Sequence, residues 1–277
     1  MPLEKNRRTR LQVQAVSVLP NFRQQQIVEI ARSAGRVTVD DLAARFEVTP
    51  QTIRKDLNEL CDQRLLSRIH GGAVIASGVE NVGYEARRFI SQEEKRAIGA
   101  AAAEIIPNNT SLFINIGTTT EEVARALLDH EGLLVITNNI NVANILYRNE
   151  RIEVIIAGGP VRRSDGGIIG GAAVDFIRQF KVDHAVIGAS AIDEEGALLD
   201  FDYREVRVSQ AIIGNARQVI LVCDRLKFER SAPVRIGHIS QIDVFVTDEL
   251  ISAPVAELCR AHGVRVIEAR PSATDGA

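Results

Sequence analysis

A glycine followed by three threonines comes directly after an apolar strand pattern. Residues 113–116, FINI, lead into Gly117 and Thr118-Thr119-Thr120, after which an amphipathic helix pattern runs to Leu127. A glycine lets a ligand approach the backbone closely, and the helix that follows offers free N–H groups and the positive end of its dipole. Such a loop can bind a phosphate group, with the threonine hydroxyls as additional donors.

Two interpretations of this loop stay open on these residues alone. Strand–Gly–Thr–helix junctions are common as plain helix N-caps, and Glu121 and Glu122 compete for the same dipole. If the loop does bind phosphate, it could serve an enzyme that converts a phosphorylated substrate or a sensor that holds a phosphorylated ligand. The rest of the chain has to decide between these alternatives.

Other polar residues follow strand-like runs in the second part of the chain. These runs alternate with helical patterns, which predicts an α/β domain with a largely parallel sheet and helices on both faces. Ligands bind at the carboxyl ends of the strands in such sheets. The runs are residues 112–116, 133–137, 152–157, 184–188, 219–223, 244–247 and 264–267. The polar residues after them include Asn138, Asn139, Gly158, Gly159, Arg162, Ser190, Asp224 and Lys227.

The first part of the chain contains three helical patterns separated by short breaks. The first covers residues 22–34, and Thr38 with Asp41 forms a capping-box variant that begins the second. Thr49 is a good N-cap and Pro50 fits the first helical position, so a tight turn separates the last two helices. This is the geometry of a helix-turn-helix. The residues predicted to face inward are Ile27, Ile30, Ala31, Ala34, Leu42, Ala43 and Phe46.

The third helical pattern turns a polar face outward. Ile53, Leu57 and Leu60 recur at i, i+4 and i+7, and Arg, Lys, Gln and Asn side chains between them suit phosphates and base edges. A merely solvated face is the alternative, and Asp56 and Glu59 fit it. The position of this helix as the second partner of a short-turn pair favours DNA binding. The candidate contacts are Thr49, Gln51, Thr52, Arg54, Lys55 and Asn58.

Two short strand patterns follow around Gly71 and Gly72. They predict a β-hairpin wing, which places Arg68 and His70 near its tip beside the DNA backbone. An ordinary turn histidine is the alternative for His70.

The stretch VTVDDLAARFEVTPQTIRKDLNELCDQRLLSRIHGGA resembles the DNA-binding domain of DeoR-family bacterial transcriptional repressors. That family carries S/T-P-x-T-I-R-R-D-L followed by R-x-H-G-G-A. Lys55 stands where the family usually has a second arginine, which keeps the charge but loses bidentate geometry. The resemblance implies a winged helix-turn-helix that binds double-stranded operator DNA.

The second part of the chain resembles the DeoR-family sensor domain, which is similar in fold to ribose-5-phosphate isomerase and related phosphosugar isomerases. The resemblance implies that the glycine and the three threonines hold a phosphate, and that Asn138 and Asn139 contact the polyol of the effector. It also implies that Glu205 and Lys227 line the pocket, whereas Arg162 either neutralises the phosphate or lies on the surface. The full set of candidates is Gly117, Thr118, Thr119, Thr120, Asn138, Asn139, Gly158, Gly159, Arg162, Ser190, Glu205 and Lys227.

The residues at the isomerase motif favour a sensor over an enzyme. Those isomerases carry an Asp-Gly-Ala-Asp stretch for proton transfer, and residues 187–190 read Ile-Gly-Ala-Ser here. Neither isoleucine nor serine replaces a carboxylate as an acid or base. Glu205 and Lys227 remain, so a phosphosugar isomerase is kept as the alternative of another class, and no catalytic residue is assigned.

Several stretches resemble most the family members that control glycerol metabolism genes, namely INIGTTTEEVARALL, ITNNINVANIL, AGGPVRRSDGGIIGGAAVDFIRQF and GALLDFDYREVRVSQAI. This implies glycerol 3-phosphate as the effector that releases the protein from its operator. A DeoR-type repressor that responds to another sugar phosphate is the alternative. Because one recognition helix reads few base pairs, specific binding requires paired heads, and the family implies a homotetramer.

Charge and composition agree with this organisation. Residues 1–90 carry 14 Lys and Arg against 10 Asp and Glu, whereas the remainder carries 19 against 26, so a basic first part precedes an acidic second part. No apolar run approaches the ~18 residues that span a bilayer, and three widely spaced cysteines fit neither a metal site nor a disulfide framework. We therefore expect a cytoplasmic protein without metal, cofactor or membrane partner.

The patterns also predict the boundaries of the domains. We expect a disordered N-terminal arm at residues 1–20, a DNA-binding domain at 21–76 with its helix-turn-helix at about 37–56, a linker at 77–91, a sensor domain at 92–268 and a disordered tail at 269–277.

Overall fold

The computed structural model describes residues 20–34, 36–63, 65–69, 71–75 and 84–270. Nearly all of the predicted N-terminal arm and C-terminal tail lies outside these ranges, as do His70, Ala76 and residues 77–83 of the predicted linker.

The first part of the chain folds as three helices and a three-stranded antiparallel sheet with the strand order β1-β3-β2. The two predicted wing strands are present and are joined by a turn at Gly71. The first strand was not predicted, because three residues are too few for a periodic signal and it forms by pairing with the distant second wing strand. The elements are α1 (Phe22–Ala34), β1 (Arg36–Thr38), α2 (Val39–Arg45), α3 (Pro50–Asp62), β2 (Leu66–Ile69) and β3 (Gly72–Ile75).

Side-chain caps set the two helices of the helix-turn-helix. Thr38 Oγ1 accepts a hydrogen bond from the backbone N–H of Asp41 at 3.2 Å, and Thr49 Oγ1 accepts one from Thr52 at 3.2 Å. Pro50 occupies the first turn of α3, where its missing N–H costs nothing. Both predicted helix starts are therefore confirmed.

The core of this part lies between the three helices. Ile27, Leu42, Ile53, Leu57 and Leu60 are at most 1% exposed. Full burial of each such side chain contributes about 1.5–3 kcal/mol relative to an exposed one.

A short helix runs through the second half of the predicted linker. This helix is α4 (Tyr84–Phe89), and α5 (Gln92–Glu104) follows it after a sharp turn in which Ser91 has φ +52°. Lys95 is 3% exposed, and its Nζ donates hydrogen bonds to the carbonyl oxygens of Arg87 and Ile90. A buried ammonium group thus holds the end of α4 against the start of α5.

The second part of the chain is a three-layer α/β fold. Its elements are β4 (Ser111–Ile114), α6 (Thr118–Ala126), β5 (Leu133–Thr137), α7 (Ile140–Leu146), β6 (Ile152–Ile156), α8 (Gly171–Ile177), β7 (Val182–Ile187), β8 (Ala191–Ile192), β9 (Ala197–Asp200), α9 (Tyr203–Gly214), β10 (Ala216–Val222), β11 (Val234–His238), β12 (Val244–Thr247), α10 (Ala253–His262) and β13 (Arg265–Glu268).

Seven strands form one sheet in the order β13-β12-β10-β7-β4-β5-β6, and every pairing in it is parallel. Each of the seven predicted runs is one of these strands, so the predicted parallel sheet is confirmed. Successive strands run outward from β4 in one direction, and β7 then pairs with β4 on its other side. The topological switch point therefore lies at the carboxyl ends of the neighbouring strands β4 and β7, where ligands bind in folds of this kind.

A second, antiparallel sheet of β11, β9 and β8 was not predicted. Its strands are two to five residues long, and the pairing partners β9 and β11 are separated by the whole of α9. Such short strands leave no periodic signal in the sequence. The sheet places Ser190 beside Leu199, because the backbone N–H of Ser190 donates to the carbonyl oxygen of Leu199 at 2.9 Å.

Within the described ranges, no helix is both long enough and apolar enough to cross a membrane. Cys61, Cys223 and Cys259 are free thiols.

Candidate functional site

The exposed face of α3 carries the predicted DNA-contacting side chains. Gln51, Arg54, Lys55 and Asn58 are exposed, Thr52 is half-buried, and the opposite face packs into the core through Ile53, Leu57 and Leu60. The hydroxyl of Thr49 caps the helix. This face is long enough to enter a DNA major groove with basic and amide groups foremost.

The acidic residues of α3 are placed differently, since Asp56 is buried away from that face whereas Glu59 is half-buried and lies 3.9 Å from Lys55. Asp56 is 3% exposed and accepts hydrogen bonds from Arg23 Nε at 2.6 Å and from Gln24 Nε2 at 3.3 Å, so it ties α3 to α1. Glu59 accepts a hydrogen bond from Gln24 Nε2 at 2.6 Å. Asp56 therefore gives no support to the alternative of a merely solvated face, because its carboxylate is buried in an ion pair between two helices.

The wing is present, but its predicted contacts are not described at the level of side chains. Arg68 lies on β2, and His70 falls outside the described residues. Their contacts with the DNA backbone stay predictions.

A pocket lies at the switch point of the parallel sheet. It is bounded by the loop after β4, the loop after β7, the end of β10 and the N-terminal turn of α9, and Arg87 of α4 reaches it from the linker. The lining residues are Arg87, Ile116, Gly117, Thr118, Thr119, Thr120, Gly188, Ala189, Ser190, Asp200, Glu205, Val222 and Lys227. Seven of the predicted effector contacts are among them: Gly117, Thr118, Thr119, Thr120, Ser190, Glu205 and Lys227.

The loop at Gly117 has the shape of an anion cradle. Gly117 has φ +156°, and a Cβ there would lie 3.3 Å from Thr120 Oγ1, so glycine is the residue that this backbone accommodates. The N-terminus of α6, at Gly117, has no side-chain cap, which leaves the first N–H groups of the helix available to a ligand.

The three threonines of the loop have different tasks. Thr120 Oγ1 donates to the carbonyl oxygens of Asn115 and Gly117, each at 2.8 Å, so its hydroxyl holds the loop together. Within the described residues, the hydroxyls of Thr118 and Thr119 make no hydrogen bond. These two hydroxyls are the ones available to a phosphate.

Cationic side chains face the loop from two elements. Lys227 lies in the turn after β10, and Arg87 lies on α4. Burial lowers the pKa of Lys227, and the nearby charges of Arg230 and Arg87 lower it further, whereas Asp224 acts in the opposite direction. An anion bound between Lys227 and Arg87 would relieve this repulsion.

Carboxyl groups occupy the other side of the pocket. Ser190 Oγ donates to Asp200 Oδ2 at 2.9 Å, and Glu205 is 7% exposed. Burial raises the pKa of Glu205 to about 8, the charge of Asp200 raises it as well, and Arg162 opposes both. The raised pKa lets the Glu205 carboxyl hold a proton to higher pH than an exposed glutamic acid, and in that form it can donate a hydrogen bond to a ligand oxygen.

Arg162 is the centre of an ion-pair network rather than a surface residue. Its guanidinium lies 2.6 Å from Asp165 Oδ2, 2.5 Å from Glu205 Oε2 and 3.2 Å from Asp202 Oδ2. Asp165 and Glu205 raise the pKa of Arg162 against the effect of burial. The side chain therefore positions Glu205 at the edge of the pocket, and its charge is already balanced by carboxylates.

Two predicted asparagines support the pocket from outside its lining. Asn139 is fully buried, caps α7 by accepting from the N–H of Asn141 at 2.9 Å, and donates to Glu121 Oε1 at 3.2 Å. Asn138 donates to the carbonyl oxygen of Ile168 at 3.2 Å, and its Oδ1 is buried without a hydrogen bond. Gly158 and Gly159 lie in the loop after β6, where they do not line this pocket.

Several functional residues were missed by sequence reasoning. Arg87 and Asp200 line the pocket, although each comes from a segment in which no ligand site was expected. Asn115 Nδ2 donates to Ser209 Oγ at 2.8 Å and thereby joins the end of β4 to α9. Nothing in the sequence marked Arg87, whereas Asp200, five residues before Glu205, could have been noticed as a second acid.

No group of three or more His, Cys, Asp or Glu side chains in the described ranges is arranged to hold a metal ion. Cys223 lies behind the pocket floor, and burial raises the pKa of its thiol to about 12. Such a thiol is neutral and unreactive at physiological pH.

Comparisons with known proteins cover both parts of the chain. The DeoR-like helix-turn-helix domain matches residues 23–79, and the DeoR C terminal sensor domain matches residues 90–249. The glycerol-3-phosphate regulon repressor of Escherichia coli (strain K12) is 47% identical over 240 residues, which cover 87% of this chain and 95% of that protein.

Two further likenesses differ in strength. The HTH-type transcriptional repressor CsqR of Escherichia coli (strain K12) is 41% identical over 247 residues, which cover 89% of this chain and 95% of that protein. Among solved structures, ribose 5 phosphate isomerase A from Neisseria gonorrhoeae is 14% identical, with 50% of this chain and 54% of that chain covered at a TM-score of 0.37.

Proposed function

This chain belongs to the DeoR family of helix-turn-helix transcriptional repressors, and we propose that it represses genes of glycerol and glycerol 3-phosphate metabolism. Glycerol 3-phosphate, bound at the loop of residues 117–120, releases it from operator DNA. The observation that carries the proposal is one pocket that is lined both by an uncapped helix N-terminus and by Lys227 and Arg87. The relative that is 47% identical bears the name of the glycerol-3-phosphate regulon.

The DNA-binding half of the proposal is supported by the distribution of charge on α3. The helix exposes Arg54 and Lys55 and buries Asp56, so its outer face is basic and polar. Arg54 and Lys55 contact phosphates or guanine, and Gln51 and Asn58 read adenine.

The effector half is supported by the division of labour in the pocket. Thr118 and Thr119 with the N-terminus of α6 bind the phosphate oxygens, and Lys227 balances their charge. Glu205 in its protonated form and Ser190, which line the same pocket, bind the hydroxyl groups of the polyol.

Release requires that the effector bind the low-affinity conformation better than the operator-bound one. A coupling free energy of about 1–3 kcal/mol weakens operator binding roughly 5- to 150-fold. Specific operator binding by single recognition helices needs two heads on a two-fold site, so the working unit is a homo-oligomer, with a tetramer proposed from the family. It acts in the cytoplasm, where operator DNA is found.

The first experiment is a thermal denaturation titration with glycerol 3-phosphate, fructose phosphates and ribose 5-phosphate, with glycerol as the control that lacks phosphate. A ligand at 100 times its Kd stabilises by about 2.7 kcal/mol, which raises Tm by about 5–10 °C in a chain of this size. We expect glycerol 3-phosphate to act at the lowest concentration. A larger shift with another sugar phosphate would favour the rival DeoR-type regulator.

We also propose that the pocket binds without turnover. The observation that favours an isomerase is that Asp200, Glu205 and Lys227 share one pocket and that burial raises the pKa of Glu205. Against it, Ile187 and Ser190 stand where the isomerases carry acids, and Ile187 is fully buried. Incubation with ribose 5-phosphate decides between the two. Turnover that is abolished by Glu205→Gln would establish the enzyme, whereas absence of turnover in the wild-type protein would establish the sensor.

A further inference from the structure

Arg87 is the pocket-lining residue that comes from the segment before α5, whereas the others come from the α/β fold. It lies on α4, between the DNA-binding domain and the sensor domain, and it lines the pocket together with the loop of residues 117–120. The charge of Arg87 lowers the pKa of Lys227, so the two cations are close enough to repel each other. An anion between them would be held from both sides.

The hydrogen bonding of Arg87 is incomplete. Its Nε is buried and has no hydrogen-bond acceptor among the described residues, which is a costly arrangement for a charged group. Its Nη2 reaches Asp165 Oδ2 at 3.4 Å. The same oxygen lies 2.6 Å from Arg162, so Asp165 would keep a strong partner if Arg87 moved away.

We propose that Arg87 is an effector-binding residue and the one that reports occupancy to the DNA-binding domain. Its guanidinium donates to the phosphate held by the loop at Gly117, exchanging its long contact with Asp165 for a charge-assisted pair with the ligand. This inference rests on the proposed function, because it assigns a further ligand residue to the same pocket.

The contacts of α4 give the movement of Arg87 a route to the DNA-binding domain. The carbonyl oxygens of Arg87 and Ile90, one helical turn apart, are both bound by Lys95 Nζ, so the two residues move together. Ile90 packs against the core of the DNA-binding domain, and it lines a cavity together with Val28 of α1 and with Leu65.

The other end of α4 is fixed to the sensor domain. Tyr84 Oη donates to Glu121 Oε2 at 2.9 Å and accepts from Asn141 Nδ2 at 2.9 Å. When the phosphate draws Arg87 toward the loop, α4 therefore pivots about Tyr84 and displaces Ile90. The contact between the two domains changes, although neither domain has to rearrange internally.

The test compares Arg87→Gln with Arg88→Gln in the full-length chain. Arg88 is the neighbouring arginine on α4 and is exposed, and it does not line the pocket. Calorimetry measures the Kd for glycerol 3-phosphate and for inorganic phosphate, and fluorescence anisotropy measures operator binding. We expect Arg87→Gln to weaken both ligands at least tenfold while effector-free operator binding is kept, and Arg88→Gln to behave as wild type.

A second variant separates ligand binding from the transmission of occupancy. Ile90→Ala keeps the guanidinium in the pocket but removes the contact with Val28 and Leu65, so we expect a wild-type Kd for glycerol 3-phosphate and at least a fivefold loss in its ability to release operator.

Wild-type ligand affinity in Arg87→Gln would overturn this inference and leave the proposed function intact. Full release by the effector in Ile90→Ala would overturn the route through α4. Failure of the wild-type protein to bind any phosphate ester would overturn the proposed function together with the inference. If Arg87→Gln loses operator binding as well, Arg87→Lys is tested in its place. An Arg87→Lys variant that folds and binds operator but binds phosphate more weakly than wild type supports the assignment.

Discussion

Glu205 brings a titrating carboxyl group into the pocket beside Asp200. Burial raises the pKa of Glu205 to about 8 from an ordinary value of 4.5. Between these values the folded protein holds a proton that the unfolded chain releases, so the protonated carboxyl favours the folded state. That contribution is fully present below the unfolded pKa and is lost as pH rises through about 8.

The same titration makes effector binding pH-dependent. We expect the affinity for glycerol 3-phosphate to fall as pH rises through about 8, because an ionised Glu205 repels the phosphate. Glu205→Gln removes this charge, so its loss of affinity between about pH 7 and about pH 9 should be smaller; Lys227, whose pKa is lowered, accounts for the remainder. Calorimetry at both pH values makes the measurement. Equal losses in the two proteins would contradict the assignment.

The free hydroxyls of the phosphate loop give a second prediction at this scale. The double variant Thr118→Ala, Thr119→Ala removes two donors that bind nothing else within the described residues, so its Tm should stay near that of wild type. We expect operator binding to be kept and the Kd for glycerol 3-phosphate to rise at least tenfold, as measured by calorimetry, because hydrogen bonds to charged groups contribute about 1.5–3 kcal/mol each. If glycerol 3-phosphate still releases this variant from operator DNA as it does wild type, the loop is not part of the effector site.

The types and positions of residues in the sequence predicted only part of the pocket. The loop of residues 117–120, Ser190, Glu205 and Lys227 were predicted from strand ends and from family motifs, and the structure places them around one cavity. Arg87 was not found, because its role depends on how a linker folds back over the sheet. The amides of Asn138 and Asn139 look like ligand groups in the sequence, yet the structure uses them to hold β5, α7 and the loop near Ile168.

Among the elements, we propose α3 as the helix that reads DNA. We expect Arg54→Ala to weaken operator binding about 10-fold or more, since a good bidentate base contact is worth about 1–3 kcal/mol. Arg260→Ala on α10 is the matched control, because Arg260 is also exposed and lies in the sensor domain. A gel-shift titration at moderate salt measures both. Unchanged affinity in Arg54→Ala would mean that α3 is not the reading helix.

The packing of α5 on α6 supplies a prediction about stability. Gly99 of α5 lies so close to α6 that a Cβ would be 2.7 Å from the backbone carbonyl carbon of Glu122. Gly99→Ala must push the helices apart and should destabilise the protein by about 1–3 kcal/mol. Gly214→Ala at the end of α9 meets nothing within 4 Å, so it should be neutral in the same denaturant titration. Equal stability of the two variants would show that the helices can separate without cost.

The elements that the sequence predicted are those with a strong local signal. The seven parallel strands are predominantly apolar runs, mostly buried in the five inner strands and partly exposed in the edge strands β6 and β13, and the caps at Thr38 and Thr49 are local motifs. The strands that escaped prediction, β1, β8, β9 and β11, are short and exist through distant pairing. The helix α4 escaped for a related reason, since its six residues are ordered by contacts to Glu121, Asn141 and Asp165 rather than by periodicity.

The whole molecule joins a basic DNA-binding part to an acidic sensor part. Residues 1–90 carry an excess of four positive charges, and the rest of the chain an excess of seven negative ones. An acidic sensor domain is repelled by the DNA backbone, which agrees with the proposal that α3 is the surface that approaches it. Between them, α4 is bonded to the sensor domain through Tyr84 and contacts the DNA-binding core through Ile90.

The central claim is that a phosphorylated effector in the pocket releases operator DNA. The most direct measurement is fluorescence anisotropy of full-length protein on an operator selected by the protein from random DNA, at constant salt, with increasing glycerol 3-phosphate. We predict that operator affinity falls roughly 5- to 150-fold at saturation, and that glycerol has no effect. Unchanged or tighter operator binding at saturating glycerol 3-phosphate would contradict the account.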